Sequence, residues 1–190
     1  RQEGNRREEA VQWTNLGLVY YNLGQGKRAI ECYQQALAIF REISDRAGEG
    51  MSLGNLGFAY SRLVQMERAI EYYQQALAIF REIGNRAGEG TSLGNLGLAY
   101  QKQDKLDEAA AAYQEAIQLD PDLAKTHNNL GLVYDAQGKP DQAIAEYQEA
   151  IRIAPDDDTA HYNLALAYYE QRQLDQAIAE YEQTVGLNPD

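Results

Sequence analysis

The stretch Asn15-Leu16-Gly17-Leu18-Val19-Tyr20 returns as Asn55-Leu56-Gly57-Phe58-Ala59-Tyr60 and again as Asn95-Leu96-Gly97-Leu98-Ala99-Tyr100. Two more copies follow, Asn129-Leu130-Gly131-Leu132-Val133-Tyr134 and Asn163-Leu164-Ala165-Leu166-Ala167-Tyr168. Successive copies start 40, 40, 34 and 34 residues apart. A fixed period in this range marks a chain of stacked units, none of which can bury its apolar face alone. Such a chain has a long surface instead of one enclosed pocket, and that surface is where function is sought.

Counting each unit from Ala10, Gly50, Gly90, Ala124 and Asp158 exposes the rules of the repeat. Position 20 is always Ala, and positions 11 and 24 are always Tyr. Position 8 is Gly four times and Ala165 once. Small residues suit a close helix crossing, and aromatic rings fill the gap beside it. Ten of the fourteen tyrosines fall on positions 11 and 24, so they are read as packing. Apolar residues recur at helical spacing in both halves of each unit, as in Ala69, Ile70, Tyr73, Ala76 and Leu77. Each unit therefore reads as two helices of ~14 residues, ~21 Å long. Polar breaks separate the halves, such as Gln137-Gly138-Lys139-Pro140. Pro121 and Pro155 are expected at first helical positions. In the 40-residue units the second helix is expected to run on by about two turns, to Ser44-Asp45 and Gly84-Asn85 as stop and cap.

Composition narrows the function. The 190 residues carry a net charge of −12, which argues against nucleic acid, since that partner needs a basic stripe. No apolar run approaches the ~20 residues that span a bilayer, so no membrane role is expected. The first ten residues are polar and charged, unlike a secretory leader. Glu31, Glu71, Glu108, Glu146 and Glu180 are assigned to solvated outer faces. Cys32, the single cysteine, is expected on a helix surface and permits no internal disulfide; a reducing cytoplasmic setting is compatible with it.

These residues resemble the tetratricopeptide repeat family. Trp13-x2-Leu16-Gly17-x2-Tyr20 followed by Ala29-x3-Tyr33 is similar to its signature, with Tyr in place of Phe. Pro121, Pro155 and Pro189 fall at the family's closing Pro. The 40-residue units resemble the longer subtype of kinesin light chains and peptide-binding polarity adaptors. The resemblance implies an all-α, right-handed α-solenoid of five helix-turn-helix repeats. The expected boundaries are 10–49 and 50–89 (long form), then 90–123, 124–157 and 158–190, with 1–9 as the tail of a preceding repeat and lead-in. Arg1 to Ala10 align with Arg81 to Gly90, so the chain is expected to be one segment of a longer array.

In that family the first helix of each pair lines a concave groove, with positions 2, 5, 6, 9, 12 and 13 facing it. Position 6 is Asn15, Asn55, Asn95, Asn129 and Asn163, a row of amides able to pair with an extended peptide backbone. Position 9 is Leu18, Phe58, Leu98, Leu132 and Leu166, an apolar stripe. Arg62, Lys102 and Lys125 supply positive charge near the centre, with Asp135 and Glu170 towards the end. His127 and His161 share position 4 and lack further metal-ligand spacing, so a hydrogen-bonded structural role is expected.

No catalytic triad pattern, phosphate loop or His-Glu-x-x-His motif occurs, and no cofactor is implied. The expectation is a non-enzymatic module that holds a protein or peptide partner in its groove. Two alternatives stand beside it. One is a structural scaffold that self-associates end to end, with Trp13 and Tyr21 near one end and Tyr162 and Tyr169 near the other. The other is a sensor segment of a larger signalling enzyme.

Overall fold

The computed structural model describes residues 2–187, with side chains over 4–186. These residues form ten helices and no strand: α1 (Gln2–Asn22), α2 (Gly26–Glu42), α3 (Arg46–Arg62), α4 (Met66–Glu82), α5 (Arg86–Gln101), α6 (Leu106–Leu119), α7 (Ala124–Ala136), α8 (Pro140–Ile153), α9 (Asp158–Glu170) and α10 (Leu174–Leu187). The chain divides into two compact units, Arg1–Gln103 with α1 to α5 and Asp104–Asp190 with α6 to α10. The third sequence repeat is thus shared between them, α5 in one and α6 in the other. Pro189, expected at a closing position, lies outside the described residues.

In the first unit each helix packs on the next, and α3 also lies beside α5. The repeat rules explain the contacts. A Cβ added to Gly17 would lie 2.5 Å from the Tyr33 ring, and one on Gly57 2.6 Å from the Tyr73 ring. In these two repeats a side chain at position 8 would collide with the position-24 ring, so glycine is needed there. Ala29 and Ala69 at position 20 are fully buried. Burial pushes the Tyr33 hydroxyl up to about 12, with smaller contributions from Tyr21 and Cys32.

The long junctions close as their polar residues demand. Asp45 and Asn85 are N-caps, accepting from the Gly48 and Gly88 amides at 2.9 and 3.0 Å. Phe40 and Phe80 lie across Gly48 and Gly88 where side chains would collide. Arg46 bridges Glu49 and Glu82, and Arg41 Nε donates to Glu49 at 2.8 Å, so the buried Glu49 carboxylate is held between two guanidiniums. Arg6 makes the same bridge to Glu9 and Glu42.

The structure corrects several expectations here. The extra residues of the long repeat are not all on the second helix. The second helices α2 and α4 have 17 residues against 14 in α6 and α8, and the first helices α3 and α5 have 17 and 16 against 13 in α7 and α9. Helix α3 accordingly begins at Arg46. Gln2–Asn22 is one continuous helix, so Asn5 lies inside it, whereas its counterparts Asp45 and Asn85 are caps. Trp13 is not an open end residue; it is half-buried against Ala10, Ala36, Ile39 and Phe40. Cys32 is not on the surface but 4% exposed, and burial, ahead of the Glu31 charge, pushes its thiol pKa up.

The second unit repeats the scheme in its shorter form. A Cβ on Gly131 would lie 2.5 Å from the Tyr147 ring. Gln114 and Gln148 donate to the Tyr134 and Tyr168 hydroxyls at 2.7 and 2.8 Å, joining successive pairs. Gln137 and Gln171 donate to Asp107 and Asp141 at 2.9 and 3.0 Å along the turn edge. Pro121 and Pro155 do not open helices: α7 and α9 start three residues later, and the only described proline at a helix start is Pro140 of α8. The two prolines instead end the helices before them and present their carbonyls to the histidines.

Those histidines take the expected structural role, with partners that overturn another assignment. His127 Nδ1 lies 2.7 Å from Glu146 and its Nε2 3.0 Å from the Pro121 carbonyl. His161 repeats this with Glu180 at 2.6 Å and the Pro155 carbonyl at 3.0 Å. Glu146 and Glu180 are therefore half-buried clasps between helices, not members of a solvated outer face. Burial pulls the His161 pKa down, but the Glu180 carboxylate and the Pro155 carbonyl outweigh it and the net direction is up.

Candidate functional site

The residues assigned to the groove fall on the first helices: α1, α3 and α5 in one unit, α7 and α9 in the other. Position 9 stays open to solvent in four of five copies, Leu18 at 52%, Phe58 at 50%, Leu98 at 40% and Leu166 at 38% exposed. Leu132 is half-buried. Neighbours two residues back on the same helices, Leu56, Leu96 and Leu164, are buried. On α3, α5 and α9 the repeat thus leaves the position-9 side chain open beside a buried neighbour.

In the first unit the face has a distinct composition. At positions 2, 5, 6, 9, 12 and 13 of the first three repeats there is no acidic residue, and Arg62 on α3 and Lys102, the residue that caps α5, are the only charges. Both are exposed. Arg62 lies over the Tyr21 ring, 5.0 Å from its centroid, and Tyr21 stacks on Phe58 at 4.8 Å. Asn55 and Asn95 are half-buried and Asn15 is exposed. Gly54 and Gly94, at position 5, have nothing within 4 Å of where a Cβ would stand. They are mid-helix glycines that no packing in the fold requires.

The second unit uses the same positions differently. Asn163 donates to Asn128 Oδ1 at 2.9 Å, and Asn129 hydrogen-bonds the Tyr113 hydroxyl. Burial nonetheless holds that hydroxyl up to about 12. Part of the expected amide row therefore joins neighbouring repeats. Lys125 is exposed on α7. Asp135 accepts from the Tyr147 hydroxyl at 2.6 Å, and its pKa is raised by burial, opposed by that hydrogen bond and assisted by Glu170. Among the described residues no group of His, Cys, Asp and Glu is arranged to hold a metal ion, and no helix is long and apolar enough to cross a membrane.

Helix pairs with this signature, and first helices that keep an apolar and amide-bearing face open, define a helical-repeat interaction module. Two profiles described as tetratricopeptide repeat match it, one over residues 8–82 and 50–122, the other over 95–158 and 128–190. The chain belongs to the tetratricopeptide repeat family. Among solved structures it is similar to the MamA protein, at 25% identity over 96% of this chain and 93% of that one, with a TM-score of 0.76. BtubC (BKLC) from P. vanneervenii has a TM-score of 0.87 and 22% identity, covering 99% of this chain and 89% of that one. YrrB, described as a TPR protein with an unusual peptide-binding site, has a TM-score of 0.70 and 20% identity, covering 96% and 88%. No curated protein matches the chain.

Proposed function

We propose that this chain is a non-enzymatic interaction module that binds an extended or partly helical peptide along the face of α1, α3 and α5. The observation that carries the reading is the open row Leu18, Phe58 and Leu98, with the adjacent Leu56, Ala59, Leu96 and Ala99 buried on α3 and α5. A row of exposed apolar side chains on a soluble protein marks a contact surface. Asn55 and Asn95 hold the ligand backbone, the apolar row takes its side chains, and Arg62 and Lys102 read an acidic group. Asn15, Leu132, Leu166 and Lys125 extend the same chemistry along α1, α7 and α9, whereas Asn129 and Asn163 must first give up their bonds to Tyr113 and Asn128. The 40-residue repeats resemble the longer subtype of kinesin light chains and peptide-binding polarity adaptors; YrrB, described as a TPR protein with an unusual peptide-binding site, is a further neighbour.

The test begins with peptides selected from a random displayed library against the full chain. Phe58→Ser with Leu98→Ser weakens their binding at least tenfold, while Gln35→Ser on α2 leaves it unchanged. A library that yields no binder, or binders indifferent to the double variant, sinks the reading.

A second reading has its own observation. Leu16 and Val19 of α1 are 40% and 53% exposed, while their counterparts Leu56, Ala59, Leu130 and Val133 are at 0–1%. Ile178 and Val185 of α10 are likewise open. Stacking of copies through these faces is the alternative. It predicts a scattering mass that rises with concentration and falls back in Val19→Glu.

A further inference from the structure

Four tyrosines lie off the packing positions: Tyr21, Tyr72, Tyr162 and Tyr169. Two are already occupied. Tyr72 lies parallel to Tyr60 at 5.3 Å, and Tyr21 carries the Arg62 guanidinium on one side and Phe58 on the other. Tyr162 and Tyr169 are different. They stand 49% and 56% exposed on α9, two turns apart on the stripe that holds Leu166.

Other groups converge there. The Tyr181 ring of α10 meets Tyr162 edge-on at 6.1 Å. Burial raises the Tyr181 pKa, and Tyr162, Tyr169 and Glu170 raise it further, so its hydroxyl lies within electrostatic reach of all three. Glu170 follows Tyr169 directly, and its charge is also felt by Asp135 and Tyr147 of the neighbouring helices α7 and α8. Among the described residues neither Glu170 nor Asp135 is in an ion pair. The surface thus joins two open aromatic faces to two carboxylates that lack a cation.

The chain itself shows which group fits such a ring. Among the described residues, three of the four cation–π contacts come from arginine: Arg28 on Tyr20, Arg62 on Tyr21 and Arg68 on Tyr60, at 5.0–5.4 Å. Tyr21 and Tyr169 occupy the same position of their repeats. A planar, weakly hydrated guanidinium stacks flat on a ring and still offers hydrogen bonds at its edge, whereas an ammonium, such as Lys139 over Tyr134, approaches as a strongly hydrated point charge.

We propose that α9, with Asp135 of α7, forms a seat for an arginine side chain of a bound peptide. The Tyr162 and Tyr169 rings take the flat face of the guanidinium, and Glu170 with Asp135 supplies the counter-charge. This deepens the peptide-binding reading by naming the ligand group taken by the second unit, and it has a test of its own.

The full chain, with ring-labelled tyrosine, is titrated with N-acetyl-argininamide and followed by NMR at neutral pH. N-acetyl-citrullinamide serves as the uncharged isostere and N-acetyl-lysinamide as the point charge. The Tyr162 and Tyr169 signals are expected to shift saturably with the arginine probe, at least fivefold more tightly than with either control. Glu170→Gln, an exposed change that leaves the helical spectrum intact, weakens the arginine response at least threefold, and the Tyr20 signal does not move. The proposal is overturned by no saturable shift, by an equal response to citrulline, or by indifference to Glu170→Gln. It is overturned too if the two signals follow protein concentration, which would mark a contact between copies. Library peptides that bind α1, α3 and α5 without arginine leave the two proposals to stand or fall separately.

Discussion

Two glycines three residues apart on α3 should respond to alanine with opposite signs. Gly54 has open space where a Cβ would stand, and Gly57 has the Tyr73 ring at 2.6 Å. Both lie mid-helix, where glycine is less favourable than alanine by about 1 kcal/mol. Gly54→Ala recovers that amount and meets nothing, so it stabilises by about 1 kcal/mol. Gly57→Ala recovers the same amount but must displace a ring that is 2% exposed and cannot swing aside. Overpacking of this kind costs about 3 kcal/mol at its upper range, which leaves a net loss of about 2 kcal/mol. In a chain of this length 1 kcal/mol moves Tm by roughly 2–4 °C, so the variants should separate by about 6 °C or more. Calorimetry and urea titration followed by circular dichroism both read this. The reasoning is refuted if the two variants move in the same direction. Gly94→Ala should follow Gly54→Ala. If ligand backbone approaches these glycines, both stabilised variants should bind selected peptides more weakly, because the added methyl stands on the binding face.

Three further outcomes are expected. Val64 is a β-branched residue at φ 59°, 80% exposed in the turn after α3, where its counterparts include Gly24 and Gly138; Val64→Gly should stabilise by about 1 kcal/mol in urea titration. Asp157 accepts from the Thr159 and Ala160 amides at the start of α9, and Asp157→Ala should lose about 1 kcal/mol. The raised pKa of His161 makes its clasp strongest below the unfolded value of 6.5, and the contribution fades as pH rises through the folded value. Unfolding of wild type and His161→Gln compared from pH 6 to 8 should therefore converge as pH rises, and a gap that widens would contradict the assignment.

The residues most legible in the sequence were those whose neighbour sits in the same repeat at a fixed offset. Gly17 with Tyr33, Gly57 with Tyr73 and Gly131 with Tyr147 are steric pairs that recur sixteen residues apart, so a single chain displays them repeatedly. Cys32, Glu146 and Glu180 were misassigned because they share one position whose burial depends on what faces it. For Glu146 and Glu180 that facing position, the fourth of the repeat, is His127 and His161. Where it becomes His, its partner becomes Glu, and this paired change was the available signal. Part of the amide row is engaged within the fold for a related reason. Asn163 meets Asn128, which replaces the Gly54 and Gly94 of earlier repeats, so the same asparagine faces a different floor in each unit. The exposure at position 9 was legible in four of five copies, Leu132 being half-buried.

The most direct measurement is an NMR map of the full chain with one library-selected peptide bound. Backbone and methyl shifts concentrated at Leu18, Asn55, Phe58, Asn95 and Leu98 are the predicted result. Shifts gathered instead on the outward residues of α2 and α4, such as Gln35 and Gln75, would contradict it.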